Sequence, residues 1–182
     1  MFPHKFFLLL CLLLSGCDAA KLPSPFHASE VAGKFAQADF KLIDHHGAPR
    51  TLADFRGKVV LLFFGYVHCP DVCPTTLADM AHAMQLLGDD AKRVQVLFVT
   101  VDPERDTTAL LANFIPAFNA DFLGLSGDAA ATAAVTQAFA VVYQKQPSKT
   151  GYNIDHSAGT YLFDVHGKVR LLAPYGQRAE CL

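Results

Sequence analysis

Two cysteines four residues apart, Cys69 and Cys73, stand in the run Gly65-Tyr-Val-His-Cys-Pro-Asp-Val-Cys-Pro-Thr-Thr76. Four residues is about one helical turn, so on a helical backbone both sulfurs face the same side. A dithiol alone supports thiol–disulfide exchange. Joined by one imidazole it also makes a metal site of two sulfurs and one nitrogen. Soft thiolates favour Cu(I), and the added histidine lets the same site hold Cu(II). Zinc is the competitor, but a closed structural zinc site takes four protein ligands, and no fourth announces itself. Two histidines compete for the third place: His68, directly before Cys69, and His156 in Asp155-His156-Ser157. Spacing alone does not choose between them. Cys73 also falls at the expected start of a helix, where the positive end stabilises a thiolate and lowers its pKa.

The surrounding pattern says what positions these groups. Residues 59–64 are an unbroken apolar run, which reads as a strand buried on both faces. Gly65 and the polar loop after it carry Cys69 to the strand's carboxyl end, where open α/β sheets place their sites. Pro74 suits a first helical turn. Behind it Leu77, Met80, Ala81, Met84 and Leu87 recur at helical spacing, and Gly88 supplies a stop. Residues 94–101 form a second apolar strand leading into Asp102-Pro-Glu-Arg-Asp106, whose last residue can cap a helix over 107–118 and whose two carboxylates offer acid–base chemistry or, the commoner roles, capping and fixing of the loop. A strand over 122–125, a helix over 128–140, a strand over 141–146 and a polar loop over 147–153 follow. Residues 160–164 and 168–172 make a last hairpin. Upstream, 40–43 and 51–52 suggest a small hairpin around Asp44–Pro49, with His45 and His46 solvated on its turn. This order predicts an α/β fold, a mixed central sheet with helices on both faces.

With 182 residues, 52% of them hydrophobic, the chain suits one domain plus a targeting segment. Fifteen Lys+Arg against seventeen Asp+Glu give a net charge of −2 with no basic block, so nothing points to nucleic acid and none is expected as a partner. Five cysteines are too few for a disulfide-built scaffold. His4 and Lys5 precede an apolar stretch, 6–14, too short to span a bilayer, and residues 1–16 read as an export signal. The stretch ends in Leu14-Ser15-Gly16-Cys17, which resembles the bacterial lipobox cut before a lipidated cysteine, and Asp18 resembles the signal that retains lipoproteins at the inner membrane. The expected organisation is a signal peptide over 1–16, a lipid-anchored tether over 17–33 and a domain over 34–182. That places the domain in the periplasm, where a dithiol is open to oxidation.

Three motifs in order carry a family resemblance: the 65–76 run above, Val101-Asp-Pro-Glu-Arg-Asp106 and Tyr152-Asn-Ile-Asp-His-Ser157. Together they resemble the Sco/SenC copper proteins over roughly residues 30–177. The resemblance implies a thioredoxin-like fold, a membrane anchor and one copper per chain. It also implies delivery of copper, taken from a periplasmic donor, to the copper A subunit of cytochrome c oxidase. It implies Cys69, Cys73 and His156 as ligands, against His68, and Asp155 as a residue that orients the histidine or docks the oxidase.

The alternative is a thiol–disulfide reductase in which Cys69 and Cys73 keep the oxidase's copper-site cysteines reduced, without need of His156. A peroxidase is a third reading, since Val72-Cys73-Pro74-Thr75 looks like the peroxiredoxin loop. Pro70 stands where those enzymes place a peroxide-binding threonine. Two departures follow from the resemblance. Gly159 stands where thioredoxin-type oxidoreductases have a cis-proline, which weakens generic disulfide exchange. After Gln177 the family continues into a helix covering one sheet face, whereas here only Arg-Ala-Glu-Cys-Leu182 follows. A truncated C-terminal helix is therefore expected, with Leu162, Leu171 and Leu172 meeting water and Cys181 incidental.

Overall fold

The computed structural model describes residues 26–149 and 151–181. The expected signal segment, Cys17 and residues 18–25 lie outside them. The first elements are β1 (Ser29–Glu30), β2 (Leu42–Asp44), β3 (Pro49–Arg50), β4 (Val59–Gly65) and α1 (Val72–Leu87). Next come β5 (Val94–Thr100), α2 (Thr108–Phe114), β6 (Leu123–Ser126) and α3 (Ala129–Ala138). The chain then runs through β7 (Tyr143–Ser148), β8 (Gly151–His156), β9 (Thr160–Phe163) and β10 (Val169–Ala173).

Eight strands form one mixed sheet in the order β1-β10-β9-β4-β5-β6-β2-β3. β4, β5 and β6 run parallel, while β9 joins β4 antiparallel. Residues 60–64 and 96–99 are buried one after another. Since successive side chains alternate between faces, the sheet centre is covered on both sides. This is the expected α/β architecture.

Helix α1 buries Leu77, Met80 and Met84 of the expected apolar stripe, with Ala83 in addition, while Ala81 is half-buried and Leu87 exposed; the helix stops at Gly88 with φ +54. It begins at Val72, so Pro74 is its third residue, where a missing N–H still costs no intrahelical bond. Asp128 caps α3 by accepting from the Ala131 N–H at 2.8 Å.

Four local expectations change. The polar loop over 147–153 is a hairpin instead: β7 and β8 pair to form a separate two-stranded sheet. Few apolar residues mark those strands, because one face is solvated. Asp106 does not cap α2; Thr107 does, accepting from the Leu110 N–H at 3.2 Å. α2 is also shorter than expected and passes into a 3-10 turn at Ile115–Ala117 that holds Pro116. Residues 29–30, read as tether, pair with β10.

Among the described residues no peptide bond is cis. Gly159 has a packing reason of its own. A Cβ there would lie 2.8 Å from Leu172 Cδ1 and 3.3 Å from the Ala173 carbonyl oxygen. Beyond β10 a 3-10 turn, Ala179–Cys181, packs against α1. Leu162, Leu171 and Leu172 are half-buried. An apolar groove of about 510 Å³ stays open between Val59, Leu61, Met84, Leu87, Leu162 and Ala179. No helix among the described residues is long and apolar enough to cross a membrane.

Candidate metal centre

The loop between β4 and α1 brings the two sulfurs together. Cys69 sits in a turn closed by its N–H to the Tyr66 carbonyl at 3.3 Å, and Cys73 is the second residue of α1. The Cys73 N–H donates to Cys69 Sγ at 3.4 Å. Cys69 is half-buried and Cys73 wholly buried. Gly65 makes the approach of helix to strand possible. A Cβ there would lie 2.9 Å from Cys73 Sγ and 2.8 Å from Phe98 Cε2.

The imidazole arrives from the separate hairpin. His156 ends β8, and its Nε2 lies 3.5 Å from Cys73 Sγ. One donor atom from each of Cys69, Cys73 and His156 lies within 4.8 Å of the others. His156 Nδ1 faces the Ser157 carbonyl oxygen at 3.0 Å. A carbonyl only accepts, so Nδ1 carries the proton and Nε2 turns its lone pair to the sulfurs. The rings of Phe63 and Tyr66 meet the imidazole edge-on, with centroids 6.2 and 5.9 Å away.

The two thiols titrate in opposite directions. Cys69 is pulled down to about 3, chiefly by the hydrogen bond from the Cys73 thiol. Burial opposes this, while the N–H groups of Asp71 and Cys73 add to it. Cys73 is pushed up, first because its proton is held in the bond to Cys69 and then by burial. The expected thiolate at the helix start was Cys73. The amides there serve the Cys69 sulfur instead, and Cys73 is too buried to ionise first.

His68 lies outside the donor group. Half its side chain is exposed, and its Nδ1 is 3.7 Å from Asp106 Oδ1. Asp155 is exposed and makes no side-chain hydrogen bond among the described residues, so the Ser157 carbonyl, not Asp155, orients the imidazole. Asp155 does line a cleft of about 300 Å³ with Tyr66, Cys69, Asp71 and His156. His45 is buried, contrary to a solvated turn, and its Nδ1 accepts from the Gly124 N–H at 3.0 Å. Only His46 is exposed there. Cys181 is a half-buried free thiol outside the donor group.

Three contributors were not legible as such. Tyr66 walls the site. Asp106 is buried, which raises its pKa above the ordinary carboxylate value despite hydrogen bonds from Thr100 and the Val67 N–H. Those bonds, at 2.6 and 3.0 Å, tie the β4–α1 loop to the end of β5. Arg105 pairs with Asp102 three residues before it, a spacing that could have drawn notice.

Two soft sulfurs and an imidazole with a free lone pair suit one copper ion. Metal binding takes both cysteines as thiolates, so Cys73 must give up its proton.

Residues 29–182 match the family described as SCO1/SenC. The chain is 42% identical over 148 residues to "Protein SCO2 homolog, mitochondrial" of Bos taurus, covering 79% of this chain and 54% of that one. Two solved structures are similar. The structure of Bradyrhizobium japonicum ScoI with copper bound is 40% identical with a TM-score of 0.73, over 78% of this chain and 91% of that one. The solution structure of apo Sco1 from Thermus thermophilus is 40% identical with a TM-score of 0.72, over 85% and 90%. The chain spans about half the length of the curated relatives it matches first.

Proposed function

Because the chain belongs to the SCO1/SenC family, we propose that it binds one copper ion and hands it to the copper A subunit of cytochrome c oxidase during assembly. Cys69 Sγ, Cys73 Sγ and His156 Nε2 are the ligands in this reading. The observation that carries it is the convergence of those three atoms within 4.8 Å, from a loop, a helix and a separate hairpin. The low pKa of Cys69 supplies one thiolate before any metal arrives. The Ser157 carbonyl holds the imidazole in the tautomer that leaves Nε2 free. Two thiolates alone suffice for linear Cu(I), while Cu(II) draws on the imidazole. Asp155, exposed on the rim of the cleft, is free to meet a docking partner.

The position of the histidine favours copper over disulfide exchange. Exchange between Cys69 and Cys73 needs at most a base beside the Cys73 thiol, whereas two sulfurs and an imidazole converging on one point make a complete copper site. Metal analysis of the purified chain tests the ligand set. Wild type should hold one copper, and Cys69→Ala or Cys73→Ala should lose it. Stable copper in both cysteine variants would overturn the assignment.

The lipobox ending in Cys17 supports a lipid anchor at the inner membrane, with the domain in the periplasm where a copper donor can reach it. Cys17→Ser should block lipidation, and fatty-acid labelling of that variant would refute the anchor.

A further inference from the structure

His156 is carried by a hairpin that, among the described residues, joins no larger sheet. A lone two-stranded hairpin is only marginally stable in water, so something must hold it against the domain. At the His156 end, Val142 and Ser157 exchange hydrogen bonds across the base: the Ser157 N–H donates to the Val142 carbonyl at 2.9 Å, and the Val142 N–H to Ser157 Oγ at 3.0 Å. In the middle Ile154 is buried. Farther out the attachment is polar and centres on Arg105, in the loop after β5.

The guanidinium of Arg105 makes four contacts at once, the longest to the Tyr66 ring, whose centroid lies 5.8 Å from its central carbon. Its Nε donates to Asp102, whose side chain is fully buried. Its Nη1 donates to the Tyr152 carbonyl at 2.9 Å. Its central carbon lies 3.7 Å from the centroid of the Tyr152 ring. Tyr152 closes the circuit by donating its hydroxyl to Asp102 Oδ1 at 2.8 Å. On the outer side Lys145 of β7 donates to Glu104 at 2.7 Å and lies 4.5 Å from the same ring. The loop thus grips both strands of the hairpin. Tyr152, Ile154 and His156 alternate along β8, so they share one face of it. The grip on Tyr152 therefore fixes the face that presents His156, while the thiols sit on the β4–α1 loop and on α1, which the guanidinium meets only at the Tyr66 ring.

We propose that Arg105, through its circuit with Asp102 and Tyr152, is the positioning residue that sets His156 against the two sulfurs, and so governs Cu(II) binding separately from Cu(I). The inference rests on the ligand reading above and deepens it. A lysine cannot replace this group, because it lacks the planar fork that donates twice while stacking.

The test measures Cu(II) and Cu(I) affinities of the full chain in parallel, with amide hydrogen exchange of the metal-free protein. In Arg105→Ala, Cu(II) affinity and the thiolate-to-Cu(II) absorption should fall, the affinity by about 10- to 100-fold, the usual cost of losing a group that supports a ligand. Cu(I) affinity should stay near wild type, and amides of β8 should exchange faster. Arg105→Lys should behave like the alanine variant. Tyr152→Phe keeps the stacked ring and removes the hydroxyl's bonds to Asp102 and, at 3.5 Å, to Glu104. It should show a smaller loss in the same direction, and it decides the matter if Arg105→Ala does not fold. Equal losses of Cu(I) and Cu(II), or unchanged Cu(II) binding, would overturn the proposal. His156→Ala separates the two readings. If it keeps full Cu(II) absorption, the ligand assignment fails. If it loses the absorption while Arg105→Ala does not, only the positioning role fails.

Discussion

Replacing Gly65 by alanine tests whether the glycine at the end of β4 is what lets the buried thiol approach. The added Cβ would sit 2.8 Å from Phe98 Cε2, 2.9 Å from Cys73 Sγ and 3.1 Å from Phe63 Cε1. Those separations fall roughly 0.5–1 Å short of ordinary carbon contact distances. All three neighbours are wholly buried, so none can swing away into solvent. Overpacking of this kind costs about 1–3 kcal/mol. At about 2–4 °C per kcal/mol for a chain this size, the melting midpoint should drop by roughly 2–12 °C. The Cys73 sulfur must also shift, so the Cu(II) absorption should weaken or move. Gly159→Ala is the control. Its shortest contact, also 2.8 Å, is to Leu172 Cδ1, the far end of a half-buried and flexible side chain, but the backbone Ala173 oxygen stands 3.3 Å away, so a smaller drop than for Gly65→Ala is expected. Thermal unfolding of the three metal-free proteins, followed by copper titration, reads both effects. A Gly65→Ala midpoint equal to wild type, with an unchanged copper spectrum, would refute the reasoning.

Two further outcomes follow from other parts of the fold. Burial alone would raise the Asp44 carboxyl, but hydrogen bonds from Arg50 and the N–H groups of Ala48 and His46 outweigh it and hold the pKa below its ordinary value. Its stabilising contribution is therefore present above the unfolded pKa and lost as pH falls through the folded one. Urea midpoints should fall less steeply with acid below about pH 4 in Asp44→Asn than in wild type, and parallel curves would exclude this carboxylate as a source of acid lability. The open groove beside Leu162 should bind an apolar dye. An amphipathic helix appended after Leu182 should suppress that signal and raise the urea midpoint, at roughly 1.5–3 kcal/mol per large side chain newly buried. No dye binding and equal midpoints would mean that the groove is already covered.

Much of the site was legible because its chemistry lies in local motifs. The apolar run at 59–64, the helical spacing from Leu77 to Leu87 and the stop at Gly88 each declared an element. Their junction then placed two cysteines at a strand's carboxyl end. The third ligand was not legible from spacing. His68 and His156 are equal candidates until the tertiary fold brings β8 across 83 residues of chain to Cys73. The hairpin itself was missed because its strands alternate polar and half-buried residues around Pro147 and Gly151, which read locally as a loop. The direction of the thiol pKa shifts was missed for a similar reason. Position at a helix start is visible in sequence, but burial of Cys73 and the aim of its N–H at Cys69 are not. Of the two structural roles read for Asp106, capping a helix and fixing its loop, the structure gives it the second, through tertiary hydrogen bonds from Thr100 and Val67.

Copper-edge X-ray absorption of the loaded chain measures the central claim most directly. Wild type should show two sulfur neighbours and one imidazole nitrogen around copper in the Cu(II) state. His156→Ala should lose the nitrogen and hold only Cu(I), on two sulfurs. An imidazole signal that persists in His156→Ala, or a copper with fewer than two sulfur neighbours in wild type, would contradict a centre built from Cys69, Cys73 and His156.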